Sequence, residues 1–402
     1  MTPPLAGLKV LELARVLAGP WAGQVFADLG AEVIKVESPS GDDTRRWGPP
    51  VIDNGDGTSD AAYFHACNRG KRSIVVDFRK EEGREIVRQL ARRSDVLVEN
   101  FKVGALTKFG LDYPSLKAVN PALVYCSITG FGQDGPYAAR PGYDFIIQAM
   151  GGLMDVTGAP DGEPQKVGVA YVDIFTGLYA VIAIQAALAQ RAHTGEGQHI
   201  DMALLDTQVG VLANQAMNYL ASGVVPRRLG NAHPNIVPYQ VFATADGHIV
   251  VAVGNDGQFR QLVTALGAPA LADNPLSATN EARVANRAVL VPELARLIAP
   301  FARADLLARL EKANVPAGPI NTIGEVFADP QVVHRAMRID LPHGSGADLP
   351  SVRTPIVMSE TPAVGRRAAP RLGEHTAEIL AELGRDAAAV DRLSSDGVAG
   401  RR

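Results

Sequence analysis

Three consecutive stretches decide the fold: Leu8-Lys9-Val10-Leu11-Glu12-Leu13, then Pro20-Trp21-Ala22-Gly23-Gln24-Val25-Phe26-Ala27-Asp28-Leu29, then Ala31-Glu32-Val33-Ile34-Lys35-Val36-Glu37. The first and third are short runs rich in β-branched and aliphatic residues and read as strands. The middle one is long enough for a helix, and Gly30 supplies its stop. Strand, helix, strand is a βαβ unit, which places the two strands side by side and parallel.

Working outward, the pattern resumes. Ser73 to Asp77 reads as a strand, Glu81 to Arg92 as an amphipathic helix, and Asp95 to Glu99 and Leu123 to Ser127 as two further strands. The expected fold class is therefore α/β, with a Rossmann-like large domain. From Tyr143 to Arg191 the chain is apolar and mostly helical, closing at Thr194-Gly195-Glu196-Gly197, and Leu204 to Tyr219 reads as a buried helix. Past Ser222-Gly223 the character changes. Tyr239 to Ala243 and His248 to Val253 form a hairpin around Ala245-Asp246-Gly247, helices follow near 258–266 and 289–297, and Val315-Pro316-Ala317-Gly318-Pro319-Ile320 reads as a linker or turn. The predicted organisation is a large domain over 1–224, a smaller α+β domain over 225–320, and a segment over 321–402 that returns to the first.

Composition limits the function classes. The 402 residues are 47% hydrophobic and 20% charged, an ordinary globular balance. A formal net charge of −4 offers no general field for nucleic acid or an anionic membrane, so an anionic ligand would need a local cation cluster. Cys67 and Cys126 stand far apart and suggest neither a disulfide framework nor a thiolate metal site, and the eight histidines make no ligand pattern. No metal is expected. The start of the chain lacks a signal-peptide pattern, and the most apolar run, Ile182 to Ala189, is too short to span a bilayer. A cytoplasmic protein is expected.

Several residues could carry chemistry. The first βα turn, Leu13 to Pro20, lacks the G-x-G-x-x-G pattern of a dinucleotide site, yet it offers helix-start amides beside the small Ala18 and Gly19. Arg69-Gly70-Lys71-Arg72 is either a phosphate-binding loop or a solvated charge run. Asn100 ends a strand on the edge where open α/β sheets place ligands, and either orients an amide or adenine or caps its turn; Lys108 follows as a candidate phosphate partner. Asp173 lies between the nearly uncharged runs Val167 to Val172 and Ile174 to Tyr179, so an ionisable group there needs a reason. It either caps the helix starting near Ile174 or acts as a nucleophile kept ionised by helix-end amides, and the two roles are compatible. Gly254-Asn255-Asp256-Gly257-Gln258 is either a mobile cover or a plain hairpin exit.

Taken together, Val16-Leu17-Ala18-Gly19-Pro20, Asp28 to Glu37, Gly41-Asp42-Asp43-Thr44-Arg45, Glu99-Asn100-Phe101, Pro141-Gly142-Tyr143-Asp144 and Thr194-Gly195-Glu196-Gly197-Gln198 resemble the class III CoA-transferase family over nearly the whole chain. Gly41 to Pro50, Asn235 to Gln240 and Pro316 to Asn321 resemble its succinyl-CoA:glutarate type in particular. The resemblance implies an interlocked homodimer. It puts Asp173 on the family's catalytic aspartate, and Val16, Ala18, Asn100, Phe101 and Ala105 on CoA-contacting turns, with Lys71 and Arg72 in the basic loop near the nucleotide. Coenzyme A or an acyl-CoA enters as substrate, and no tightly bound cofactor is implied.

The implied reaction runs through an aspartyl anhydride and an aspartyl-CoA thioester, with succinyl-CoA as donor and a dicarboxylate such as glutarate as acceptor. Arg15 and Arg45 are candidates for the distal carboxylate, or are structural ion-pair partners. Tyr143, Gly254, Gly257 and Gln258 are further candidates near the substrate. Leu17 stands where the formyl-CoA enzyme has glutamine, and Lys108 where many members have arginine, which speaks against oxalate. The rivals are an α-methylacyl-CoA racemase on the same fold, whose family carries histidine where this chain has Tyr143, and a non-catalytic CoA-binding protein.

Overall fold

The computed structural model describes residues 2–363 and 365–400. The chain forms two compact units: Met1–Gly152 with Val167–Ala216 and Pro330–Arg402, and Leu153–Lys166 with Met217–Asp329.

The first unit is built on six parallel strands: β1 (Lys9–Glu12), β2 (Glu32–Glu37), β3 (Arg72–Val75), β4 (Val96–Glu99), β5 (Val124–Thr129) and β6 (His199–Ala203). Their order across the sheet is β3-β2-β1-β4-β5-β6. The order reverses between β1 and β4, and at such a switch point the two outgoing loops diverge and leave a crevice at the carboxyl ends of the strands. The expected α/β, Rossmann-like core is thus observed, with helix α1 (Ala18–Asp28) following β1 as the opening stretches predict.

Each face of the sheet is covered. Leu11, Ile74, Leu97 and Tyr125 point to one side and meet Ile86 and Leu90 of helix α2 (Glu81–Arg92), with Ile379, Leu380 and Leu393 from the chain's end. Val10, Val33, Val96, Val98 and Val124 point to the other and meet Ala22 and Phe26 of α1, and Ala180 and Ile184 of helix α4 (Tyr171–Thr194). Helix α3 (Asp144–Met150) and helix α5 (Leu204–Gly210) complete that layer. Each fully buried aliphatic side chain contributes about 1.5–3 kcal/mol. The returning C-terminal segment is tied to β3 by main-chain bonds, Asp77 N to Val398 O at 2.8 Å and His375 N to Ser73 O at 3.0 Å. The long helix expected over Leu204 to Tyr219 is broken: α5 ends at Gly210 and a new helix starts at Ala213, whose φ of +47° a continuous helix cannot contain.

Sheet polarity is satisfied internally at one point that bears on function. Lys35 on β2 is fully buried and holds Glu12 at 3.1 Å and Asp42 at 3.0 Å, while Lys71 holds the same Glu12 at 2.8 Å. Gly23 is the room for this cluster, since a Cβ there would stand 1.9 Å from Glu12 Oε2.

The second unit is α+β, as expected. Strands β7 (Tyr239–Thr244) and β8 (Gly247–Ala252) form the predicted antiparallel hairpin, and helix α6 (Asp256–Ala265) packs Phe259 and Leu262 against Phe242, Ile249 and Val251. The stretch expected to be a linker supplies a third strand, β9 (Ala317–Pro319), paired antiparallel to β8. Its proline and glycine content hid it, but an edge strand tolerates a proline whose missing N–H faces away from the ladder.

Candidate active site

At the switch point lies a cavity of about 390 Å³, walled by the β1–α1 turn (Arg15 to Ala18), the turn after β4 (Asn100 to Val103) and the loop before α3, with Asp173 in its lining. The first two walls are locked together. Asn100 Oδ1 accepts the Arg15 amide at 2.9 Å and its Nδ2 donates to the Arg15 carbonyl at 2.7 Å. Asn100 therefore acts here as a two-point clamp between turns, bonding the main chain of Arg15 rather than capping its own turn.

Val16 adopts φ of +70°, a left-handed conformation that a β-branched residue reaches only at a cost of about 1–3 kcal/mol. Asp42 holds it there, its two oxygens accepting the Val16 amide at 3.3 and 3.2 Å. Lys35 and Thr44 keep Asp42 ionised, its pKa lowered to about 2 against the opposing effect of burial. The buried lysine cluster thus ends in the shape of the cavity wall. α1 begins at Ala18 with no side-chain cap, so its first amides lack a side-chain partner. On the third wall, Gly130 and Gly142 cross so closely that a Cβ on either would come within 2.5 Å of the other's backbone. That crossing carries the chain into Tyr143 and Asp144.

Asp173 stands in the first turn of α4, whose N-cap, Ala170, offers no side-chain bond. The cap comes from elsewhere. Asp144 Oδ1 accepts the amides of Val172 at 2.8 Å and Asp173 at 3.3 Å, while Gln148 donates to Asp144 Oδ2 at 2.6 Å. The expectation that Asp173 caps its own helix is corrected: the helix starts two residues before it, and Asp144 takes the amides. The helix-end amides expected to keep Asp173 ionised are thus spent on Asp144 instead. Burial, and then the Asp144 charge, push the Asp173 carboxyl up to about 7. Asp173 is brought to the cavity by close packing of α4 on α1, because a Cβ on Gly177 would stand 2.6 Å from the Ala18 carbonyl oxygen.

Two further residues, outside the cavity lining, are coupled to Asp173. Asp144 was visible only as the partner of Tyr143. Tyr63 had no signal, but its phenol is pushed up to about 12 by burial and then by the Asp173 charge, so it stays a hydrogen-bond donor. Its ring meets Trp47 edge-on at 5.3 Å.

The other expected residues divide. Arg15, Val16, Ala18, Phe101, Ala105 and Tyr143 line the cavity with Asp173. Lys71 does not reach it: the side chain is fully buried and its ammonium is spent on Glu12, Asn68 and the Pro20 carbonyl. Arg72 pairs with Glu32, Glu378 and Glu382. Arg45 is closed in between Glu37 and Asp60, both at 2.7 Å, with the Phe64 ring 3.6 Å from its guanidinium carbon. These three basic residues are structural ion-pair partners. Lys108 lies on a short turn with its ammonium 4.9 Å from the Phe109 ring centre. Arg140, which the sequence reading did not single out, lines the cavity and stacks 3.9 Å above Tyr137. In the second unit the turn from Gly254 to Gln258 is stapled. Gly254 N donates to Gln258 Oε1 at 2.7 Å, Gln258 N to Asn255 Oδ1 at 2.9 Å, and the buried Arg283 holds Asp256 at 2.8 Å. Neither Gly254 nor Gly257 has a positive φ, so the backbone there does not require glycine.

Residues 5–376 match the family model described as CoA-transferase family III. The chain is 60% identical over 383 residues to the succinate–glutarate CoA-transferase of Agrobacterium fabrum, covering 95% of this chain and 96% of that one. It is 44% identical over 402 residues to the succinyl-CoA:glutarate CoA-transferase of Mus musculus, covering 98% and 90%. Among solved structures, a CAIB/BAIF family protein from Brucella suis is 63% identical and superposes with a TM-score of 0.85 over 95% of this chain and 100% of that one.

Proposed function

The chain belongs to CoA-transferase family III, and from that premise we propose that this CoA-transferase carries CoA from succinyl-CoA to glutarate with the Asp173 carboxylate as covalent relay. The observation that carries the reading is a single carboxyl, raised to about 7, in the lining of the switch-point cavity. Burial and a like charge make it a stronger nucleophile than a solvated aspartate, while leaving a large ionised fraction at neutral pH.

The chemistry balances without a proton. The Asp173 carboxylate attacks the succinyl thioester, the C–S bond breaks, and CoA leaves as thiolate from a succinyl-aspartyl anhydride. The thiolate attacks the aspartyl carbonyl and releases succinate, leaving an aspartyl-CoA thioester. Glutarate attacks that carbonyl and expels thiolate again, and the thiolate takes the glutaryl group from the second anhydride, restoring the carboxylate. Each step moves one negative charge between oxygen and sulfur, so the site needs orientation and hydrogen-bond donors rather than an acid–base pair. Tyr63 is such a donor, and the amides at the start of α1, with Lys102 and Arg140 around the cavity, suit the phosphates of CoA. Arg15, its side chain 48% exposed, remains the candidate for the distal carboxylate of the acid. Racemisation would need two groups free to exchange an α-proton, and both oxygens of Asp144 are engaged.

The partner in this proposal is a second copy. One side of α4 packs on the sheet, but Leu178, Tyr179 and Ile182 on its other side are exposed, together with Phe145, Ile146 and Met150 of α3. An apolar patch of this kind marks an interaction surface, and an interlocked homodimer would cover it. The two unpaired, buried cysteines suit a reducing, cytoplasmic compartment. An exchange assay with succinyl-CoA and a panel of acids tests the substrate: formation of glutaryl-CoA with kcat/KM at least tenfold above that for monocarboxylates supports the reading, and equal rates for all acids contradict it.

A further inference from the structure

We infer that Glu99 is a positioning residue for CoA: by accepting the Phe101 amide it holds the turn that walls the cavity, and the charge on its carboxylate sets how tightly that turn grips the ligand. The inference rests on the reading that CoA occupies the cavity containing Asp173.

Glu99 is the last residue of β4 and is 5% exposed. Its Oε2 accepts the Phe101 N–H at 2.8 Å. The next residue, Asn100, clamps the Arg15 main chain at both its N–H and its carbonyl, and the Phe101 ring lies 5.5 Å from the Arg15 guanidinium and 5.8 Å edge-on from Phe78. A change at the Phe101 amide therefore reaches Arg15 through two independent contacts, the clamp and the ring. Phe101, Lys102 and Val103 are also a partition. On one side is the Asp173 cavity; the same three residues line a second cavity of about 270 Å³ that contains Glu99, Ser127 and His199.

That second cavity gives the carboxyl a way to exchange its proton. The Ser127 hydroxyl bonds to Glu99 and lies 2.9 Å from His199 Nε2, and the His199 ring is exposed and stacked on Tyr113 at 5.1 Å. Tyr125 and Cys126 on β5 are coupled to Glu99 and are neutral; Asp112, on the stretch between β4 and β5, acts on Tyr125, and Asp201 on β6 acts on Cys126. Lys102 borders the same cavity, but no lysine or arginine of the described residues forms an ion pair with Glu99. Burial accordingly pushes the carboxyl up to about 7, against the Ser127 and Phe101 hydrogen bonds. An ionised acceptor binds an amide more strongly than a neutral acid does. Whatever ligand requires the turn in place must therefore bind better as Glu99 ionises, and must in return lower its pKa.

The test is calorimetric binding of CoA to Asp173→Asn protein, which cannot turn over, between pH 6 and 8.5, with and without Glu99→Gln. Glutamine keeps an oxygen for the Phe101 amide but has no proton to lose. The titrating groups of CoA itself are common to both proteins and cancel. We expect affinity to rise from pH 6 to pH 8 about fivefold more steeply in the protein that retains Glu99 than in the Glu99→Gln variant, within the ordinary range of coupling between sites. Ser127→Ala removes a bond that favours the ionised form, so it should move the midpoint to higher pH, and it decides the matter should the Glu99→Gln protein fail to fold. Indistinguishable pH profiles among the folded variants overturn the inference and leave the cavity reading standing. No CoA binding at any pH by folded Asp173→Asn protein overturns both.

Discussion

Asp144 caps the helix that carries Asp173, its Oδ1 accepting the Val172 amide at 2.8 Å and the Asp173 amide at 3.3 Å. One carboxylate thereby collects the helix-end amides that would have made the other more acidic, and its own charge then raises the other further. Asp144 thus has the structural task, and Asp173 is left for the chemical one proposed for it.

Asp144→Asn should separate the two effects. Asparagine retains an oxygen for the amides but removes the charge, so the acid limb of kcat/KM, expected near pH 7, should move down by about half a unit to one unit. Activity should rise with pH through that limb in both proteins, because the nucleophile is the ionised form. A limb that stays in place shows that Asp144 does not set the Asp173 pKa.

The raised carboxyl has a stability cost with a definite sign. Asp173 has a reference pKa of 3.8 and a folded value of about 7. The fold therefore binds this proton more tightly than the unfolded chain does, and stability is lost as pH rises between those two values. Asp173→Asn should raise Tm at pH 8, by an amount corresponding to about 2–4 kcal/mol, and the gain should shrink to nothing near pH 4. A variant no more stable at pH 8 than at pH 4, relative to the parent, contradicts the assignment.

Close helix packing places Asp173. In Gly177→Ala the added methyl group would press on the Ala18 carbonyl at 2.6 Å, and overpacking of this kind costs about 1–3 kcal/mol. Because Ala18 walls the cavity and Asp173 lies one turn away on the same helix, kcat should fall along with thermal stability. Full activity in a destabilised Gly177→Ala enzyme would disconnect the two.

Lys71 offers the opposite case. If it bound CoA, Lys71→Met would raise KM for the thioester in a stable protein. Its ammonium instead neutralises buried Glu12 at 2.8 Å. The substitution should cost about 3–5 kcal/mol of stability, read in urea unfolding, with CoA affinity of the surviving folded enzyme nearly unchanged.

The sheet was legible because its strands are local: each is a short run of aliphatic residues between turns, and the first βαβ unit sets the direction for those that follow. Asp173 was legible for a similar local reason, as one charge in an uncharged run. The errors have a common origin in contacts distant along the chain. Nothing around Lys71 reveals that Glu12 lies beneath it, so it reads as a loop cation; Arg45, which read as either a substrate arginine or an ion-pair partner, is the latter, closed in by Glu37 and Asp60. The cap on α4 comes from Asp144, 29 residues before Asp173, which a search for a neighbouring cap residue cannot find. Tyr63 was missed because one tyrosine before a turn carries no pattern at all.

The exposed face of α3 and α4 predicts association. Ile182→Glu, at a position 61% exposed, should leave the isolated chain folded while preventing assembly of the dimer, so that the variant sediments as a monomer. A wild-type protein that sediments as a monomer at micromolar concentration rules out the homodimer.

Covalent acylation of Asp173 is tested by mass spectrometry after incubation with succinyl-CoA and hydroxylamine trapping. A hydroxamate or a CoA adduct is expected on the peptide containing Asp173 and nowhere else, and is expected to be absent from Asp173→Asn protein handled identically. An Asp173 peptide that remains unmodified while the enzyme turns over succinyl-CoA would contradict it.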